Sequence, residues 1–285
     1  MAIHAFTLER MGRPIFVISA AIIGVLVLTA VAADWIIPHD PNVGKLEDKF
    51  LPPFWLDGGR MTYPLGTDSL GRDLLSRIIM GARVSLMVAA AAIIAAGGTG
   101  TVLGLLAGYC GKIGDEIIMR TVDGLLAIPT ILLAMLLAIT LGPGIGNLIL
   151  VITFLVWARF ARVVRGDVLS LKTRDYIALA KVAGASSFRI MLYHLFPNVL
   201  NTVIVMATLQ VGYVIILEAS LSFLGVGIPP PHPTWGYMIS TGRSHLATAW
   251  WISAFPGLAI LLTVLALNLL GDWLRDTLDP KLRQI

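Results

Sequence analysis

The chain has 285 residues, of which 57% are hydrophobic and 13% charged, with a formal net charge of +4 and a mean hydropathy of +0.85. Soluble domains carry about 25% charged residues, so this chain has too few to cover a water-facing surface and must present much of itself to lipid. The mild positive excess implies no nucleic-acid partner, and Cys110, the single cysteine, excludes an intrachain disulfide and a cysteine-based zinc site.

A spanning helix needs about 20 mostly apolar residues, and six segments of that character organise the chain. The first runs from Pro14 to about Ile37, after Arg10 and Arg13. Its Ala30-Val31-Ala32 has the small-residue form of a signal-peptidase site, but the apolar core exceeds the ~7–15 residues of a signal segment. It is therefore read as a retained span. A long, charge-mixed outer stretch follows, with Lys45, Lys49, Arg60, Arg72, Arg77 and Arg83 among its carboxylates.

The second span runs uncharged from Val84 to Gly111. In it Gly100, Gly104 and Gly108 repeat at i, i+4 and i+8, a spacing that lets a neighbouring backbone come close, and they are read as packing rather than substrate contact. The third runs from about Ile117 to Leu141, with Asp123 expected near the cytoplasmic surface and paired to Arg120 or a loop arginine. Gly142-Pro143-Gly144-Ile145-Gly146 then turns the chain back tightly. The fourth span covers Asn147 to about Arg162, the fifth about Val199 to Leu221, and the sixth about Leu246 to Gly271. Glu218 is the one carboxylate enclosed by long apolar sequence, roughly 28 Å along the fifth helix from Val199. An ionisable group there points either to the substrate path or to packing near the outer boundary. Long continuous apolar runs suit helices and not the short alternating strands of a barrel, so the fold class is an all-α membrane protein. Residues 1–83 form an N-terminal region with the first span and the outer segment; residues 84–285 hold the other five helices.

Orientation follows the placement of Lys and Arg. The connection after the fourth span carries Arg159, Arg162, Arg165, Lys172, Arg174, Lys181 and Arg189 against Asp167 and Asp175, and is read as cytoplasmic. The 225–245 connection contains just Arg243, and the Gly142 turn contains no charge, so both face outward. Six spans then leave both termini cytoplasmic, in agreement with Arg10, Arg13, Lys281 and Arg283. Trp35, Trp235, Trp250 and Trp251 fall at outer boundaries, where an aromatic belt is expected.

Catalytic signatures are missing. Gly44-Lys45 is followed by Leu46 and Gly111-Lys112 by Ile113, so no phosphate-binding loop is encoded. His4, His39, His194, His232 and His245 form no HExxH pair, and Gly184-Ala185-Ser186-Ser187 is not a nucleophile elbow. The expectation is no enzyme, no catalytic residue, no metal site and no cofactor.

The most informative segment is Thr173 to Asn198. It reads as two short helices around Gly184, which suits a left-handed C-terminal position. Asp175 can cap the first helix, on which Tyr176, Leu179, Ala180 and Ala183 share a face. Ala185 and Ser186 follow the glycine, with Ser186 able to cap the second helix. Phe188, Met191, Leu192, Leu195 and Phe196 then fall at i, i+3, i+4, i+7 and i+8, and Pro197 is expected to stop that helix. Such an apolar face either lies on the lipid interface or enters a groove on a partner protein.

This segment resembles the "EAA" loop of ABC importer permeases. Gly184 and Phe196-Pro197 keep that motif's spacing, while its triplet stands as Ala178-Leu179-Ala180 and His194 takes the isoleucine position, so the glutamate contact of other permeases does not carry over. Pro64-Leu65-Gly66-Thr67-Asp68-Ser69-Leu70-Gly71-Arg72-Asp73-Leu74-Leu75-Ser76-Arg77, followed by Gly81-Ala82-Arg83-Val84-Ser85-Leu86, is similar to the outward pre-helix motif of peptide and nickel importer permeases. Phe255-Pro256-Gly257, Asn268-Leu269-Leu270-Gly271-Asp272 and Leu274-Arg275-Asp276-Thr277-Leu278-Asp279-Pro280 resemble the C-terminus of the C-type subunit of dipeptide and oligopeptide permeases.

The resemblance implies a six-helix type I ABC importer permease in the bacterial cytoplasmic (inner) membrane. It implies pairing with a second, B-type permease, service by one or two kinds of ABC ATPase subunit that bind the ATP, and an extracytoplasmic substrate-binding protein. The ATPase-coupling loop would be residues 165–198, with Asp175, Tyr176, Leu179, Ala180, Gly184, Ala185, Ser186, Phe188, Phe196 and Pro197 at its centre. Asp68 with Arg72 and Asp73 with Arg77, at helical i, i+4 spacings worth about 0.2–0.5 kcal/mol each, form either a solvated face or a contact for the binding protein. Dipeptides or oligopeptides are the expected cargo; nickel, glutathione, opines and plant-derived sugars use similar permeases. A self-sufficient secondary transporter would instead show ionisable or helix-breaking residues at matching mid-membrane positions of two halves, a pattern Glu218 alone does not make. A non-transport membrane scaffold is the third reading.

Overall fold

The computed structural model describes residues 2–278, which contain helices and no named strand. Asp279, Pro280, Lys281 and Arg283 lie outside the described residues, as do the side chains of Arg10 and Arg13. Helix α1 (Ala2–Val31) and the short α2 (Ala33–Ile36) lead into an irregular stretch pinned by two isolated bridges, Gly44 to Arg72 and Thr67 to Asp73. Helix α3 (Leu74–Cys110) starts well before the uncharged run at Val84, because the Asp73 carboxylate accepts the Ser76 backbone N–H at 3.0 Å and caps it there.

The third apolar segment is not one straight helix. It divides into α4 (Lys112–Ala127) and α5 (Thr130–Leu141), which meet at 96°. Pro129 lacks a backbone N–H and pushes the residue before it out of helical geometry; Ile128 is accordingly extended, at φ −86° and ψ 134°. Helix α6 (Ile145–Leu171) continues more than two turns past Arg162. Arg159, Arg162 and Arg165, expected in a loop, therefore stand on a helix.

Beyond α6 come α7 (Asp175–Val182), α8 (Ser187–Ile190), α9 (Phe196–Phe223), α10 (Trp235–Gly242) and α11 (Trp251–Leu278). Pro197 does not stop a helix here. It sits in the first turn of α9, joined to α8 by a wide π-helical turn over Met191–Leu195. Proline crowds the carbonyl four residues back and donates no N–H; the wider turn makes room, and the Asn198 side-chain amide donates to the His194 carbonyl at 2.6 Å. Ser187–Phe223 is thus a single helical rod.

Among the described residues, α3, α6, that rod and α11 are long and apolar enough to cross a bilayer, and the bent α4–α5 pair makes a fifth candidate. The apolar part of α1, Phe16–Val31, is shorter. Helices α3 and α6 run parallel and share the most extensive helix contact of the molecule. Gly100, Gly104 and Gly108 make it possible: a Cβ on Gly100 would lie 2.5 Å from the Trp157 carbonyl, one on Gly104 2.7 Å from that of Ala161, and one on Gly108 2.7 Å from the Val168 Cβ.

The middle of the bundle buries Val88, Ala92 and Ala96 of α3 with Ile152, Val156 and Phe160 of α6 and Val214 and Ile215 of α9. The upper end, which carries the 38–73 segment, is filled by Leu74, Trp235, Met238, Trp251 and Ile252. Trp235 and Trp251 are therefore core residues and not belt anchors: their indole N–H groups donate to the carbonyls of Ile78 (3.0 Å) and Thr67 (3.2 Å). Trp35 remains exposed. At the lower end Ile177, Ile190, Leu195 and Val199 pack against Leu105, Val164 and Val168.

Candidate functional site

Helices α7 and α8 meet at Gly184, whose φ of +79° is the left-handed conformation that side chains with a Cβ resist. The Ala185 N–H donates to the Ala180 carbonyl and the Gly184 N–H to that of Lys181, both at 3.0 Å, closing the end of α7 in a Schellman-like turn. The Ser186 hydroxyl accepts the Arg189 N–H at 3.3 Å. Asp175 makes no cap; the capping position is Arg174, without a side-chain bond, and Asp175 stands in the first turn.

Ile177 of α7, Ile190 of α8 and Leu195 are buried against α3 and α6, which fixes the element to the bundle. Much of the rest of the element's surface is apolar and bare: Val182 is 87% exposed, Phe188 70% and Leu179 68%, with Tyr176, Leu192 and Tyr193 also exposed. Phe188 and Leu192 border a groove against Gly98 and Val102 of α3. Leu195, expected on the outward apolar face, points inward instead, and the exposed Val182 and Tyr193 were not anticipated. Exposed apolar area of this kind marks an interaction surface. Above it, Lys172 Nζ donates to the Gly108 carbonyl at 2.7 Å, tying the end of α6 to the end of α3.

The four charged residues of the outer motif do not form a solvated helical face. Asp68 lies in a tight turn ahead of α3, where its Oδ1 accepts the backbone N–H groups of Leu70 (2.8 Å) and Arg72 (3.0 Å). Its Oδ2 accepts Arg72 Nε at 2.7 Å and lies 3.5 Å from Arg77 Nε. Arg77 donates to the Pro41 carbonyl at 2.9 Å, and Asp73, the α3 cap, is not paired with it. Asp68, Asp73 and Arg77 are buried, because left-handed bends at Gly66 and Gly71 fold the segment over the head of α3. Of the two expected i, i+4 pairs, Asp68 with Arg72 forms, across a turn and not along a helix, and Asp73 with Arg77 does not. The group is an internal framework that holds the outer segment to the head of α3. Beside it, burial and then the Asp48 charge raise the Tyr63 hydroxyl above its ordinary pKa.

Glu218 is 1% exposed and lies between α3 and α9, accepting the hydroxyls of Ser222 (2.8 Å) and Ser85 (3.2 Å). A closed hydrogen-bonded group of this kind joins two helices, α3 through Ser85 and α9 through Ser222.

The lower half of α6 holds a residue that charge counting hid. Asp123 pairs with Arg162, while Arg120 turns to Glu116 at 2.7 Å. Arg165 Nε and Nη2 grip the Asp115 carboxylate at 2.5 and 2.6 Å. Arg159 has no carboxylate partner among the described residues. Its guanidinium carbon lies 3.9 Å from the centroid of the Tyr213 ring on α9, an arrangement worth about 0.5–2 kcal/mol, and Nη1 reaches Gln210 Oε1 at 3.4 Å. No metal-binding cluster of His, Cys, Asp or Glu occurs among the described residues.

Comparison with known proteins adds to this geometry. Residues 100–284 match the family model described as binding-protein-dependent transport system inner membrane component, and residues 11–53 match the N-terminal transmembrane domain of oligopeptide transport permease C. The chain is 46% identical over 268 residues to the dipeptide transport system permease protein DppC of Escherichia coli K12, covering 94% of this chain and 89% of that protein. It is 43% identical over 258 residues to the di/tripeptide transport system permease protein DppC of Pseudomonas aeruginosa, covering 90% and 85%. With the Haemophilus influenzae dipeptide transport system permease protein DppC the identity is 42% over 270 residues, covering 95% and 90%.

Proposed function

Because the chain belongs to the family of binding-protein-dependent transport system inner membrane components, we propose that it is the C-type permease subunit of an ATP-driven importer of dipeptides in the bacterial inner membrane. The cargo reading is supported by the names of the three relatives above, dipeptide or di/tripeptide permeases at 42–46% identity. In this reading the chain spans the bilayer six times, the four long helices being joined by α1 and the bent α4–α5 pair, with both termini and the lower end cytoplasmic. It carries no cofactor; ATP is bound and hydrolysed by partner ATPase subunits. A second, B-type permease completes the path, and a substrate-binding protein delivers cargo from outside.

The observation that carries the proposal is the bare apolar face of α7 and α8 at the lower end. Its inward side is locked to α3 and α6 through Ile177 and Ile190, and from α8 onward the helix continues through the π-turn into α9. A partner gripping Leu179, Val182 and Phe188 would therefore move α9 and the foot of α6 as one body. Closure and reopening of the ATPase pair would tilt these helices between outward- and inward-open states.

The test is uptake of a radiolabelled dipeptide into vesicles holding both permeases and the ATPase subunits, with loaded binding protein outside. Uptake that requires ATP inside the ATPase compartment supports the proposal. Uptake by this chain alone, without ATP or ATPase, would replace it with a secondary transporter.

A further inference from the structure

Arg159 stands about 21 Å along α6 from Ile145, one turn nearer the middle of the bundle than the Arg162–Asp123 pair. A charged side chain at such depth is costly and is retained where it serves a path or finds a counter-charge. Of the three arginines on the lower half of α6, two have their carboxylate, Asp123 for Arg162 and Asp115 for Arg165. Arg159 is held by a ring face and an amide oxygen instead. Both supports fix the guanidinium without neutralising it, and Nε and Nη2 make no hydrogen bond among the described residues. Arg159 is also only half-buried, and Arg162, Val163 and Gly166, one to two turns further along the same face of α6, are exposed.

We infer that Arg159, oriented by Tyr213 and Gln210, is the carboxylate-recognition point of the translocation path and binds the C-terminal α-carboxylate of the peptide in transit. The inference rests on the peptide-importer reading and deepens it. A carrier that accepts many dipeptides cannot rely on their side chains, and their terminal charges are the groups that never vary. A guanidinium fork matches a carboxylate with two parallel hydrogen bonds. The Tyr213 face that holds the free guanidinium supplies attraction without a competing anion, so cargo can be released as the path opens, as conduction through a binding point requires. Tyr213 and Gln210 act through Arg159 and are positioning residues.

The test uses the complete importer in vesicles, with loaded binding protein outside, and reads dipeptide uptake and ATP hydrolysis together. Arg159→Gln is expected to lower uptake per ATP hydrolysed by about tenfold, the scale of one charge-assisted pair, with hydrolysis stimulated by the binding protein unchanged. Arg159→Lys, which keeps the charge and loses the fork, is expected to fall between. Unchanged uptake per ATP in Arg159→Gln overturns the inference. So does a joint fall of uptake and hydrolysis, or loss of the complex in both variants, which would assign Arg159 to structure or to the partner permease. Should the unaltered importer take up no dipeptide at all, the peptide reading itself fails and takes this inference with it; uptake by the unaltered importer with an indifferent Arg159 sinks the inference alone.

Discussion

Arg165 of α6 and Asp115 of α4 meet as a two-pronged ion pair, Nε donating to Oδ1 at 2.5 Å and Nη2 to Oδ2 at 2.6 Å. Ahead of the break at Pro129, α4 buries Val122 against Ala158 and Ala161 of α6, with Ile118, Met119, Leu125 and Leu126 around it, and the ion pair adds a polar tie to that apolar seam. Both side chains are partly exposed, which limits the pair to about 1 kcal/mol despite its geometry. A double-mutant cycle with Asp115→Ala and Arg165→Ala, read by thermal unfolding in detergent, should return a coupling of that size. Strictly additive effects would mean that α4 is held by something else.

The α3–α6 contact makes a sharper forecast, because two neighbouring glycines differ in what surrounds them. A Cβ on Gly104 would approach the Ala161 carbonyl to 2.7 Å and the Val164 Cβ to 2.8 Å, whereas one on Gly98 meets nothing within 4 Å. Gly104→Val should destabilise the fold by about 1–3 kcal/mol through overpacking, and Gly98→Val should leave it within about 0.5 kcal/mol. Melting curves of the two purified variants check the contrast; equal effects would remove close backbone approach as the reason for the glycine repeat.

Gly184 sits in open space, so its role is conformational. At φ +79° a β-branched residue is strained, while Asn tolerates the same region. Gly184→Val is expected to insert and fold, since no buried contact is lost, but to abolish uptake by misaligning α7 against α8. Gly184→Asn should keep most of it. Normal uptake by the valine variant would detach the hinge from the transport cycle.

At Glu218 the hydrogen bonds from Ser85 and Ser222 predict opposite fates for two substitutions. Glu218→Gln preserves an acceptor and the shape, and its thermal stability should stay close to that of the natural chain. Glu218→Leu strands both hydroxyls and should cost about 1–3 kcal/mol. A path role would appear instead as a stable leucine variant with impaired uptake.

The helices were legible in the sequence wherever one residue type set the outcome alone. Long uncharged runs located α3, α9 and α11, and Gly184 announced its own backbone conformation. What escaped depended on partners distant in the chain or on competition between signals. The unbroken hydrophobicity from Leu125 to Leu141 masked the bend that Pro129 imposes. Pro197 looked like a stop because nothing in the sequence advertises the π-turn that accommodates it. Asp68 and Arg72 had helical spacing yet meet across a turn, and the Ser85 partner of Glu218 lies on another helix. Arg159 was lost among the positive charges that orient the chain, since its isolation becomes visible after Arg162 and Arg165 have been matched to Asp123 and Asp115.

The central claim is that work reaches this membrane bundle through the apolar face of α7 and α8. Its most direct measurement is recovery of the ATPase subunits with the tagged chain after expression of the whole transporter, comparing the natural sequence with a Leu179→Glu, Phe188→Glu double variant. These side chains are exposed, so the variant should fold and insert normally. The account predicts stoichiometric ATPase recovery with the natural chain and little with the variant; undiminished recovery with the variant would contradict it.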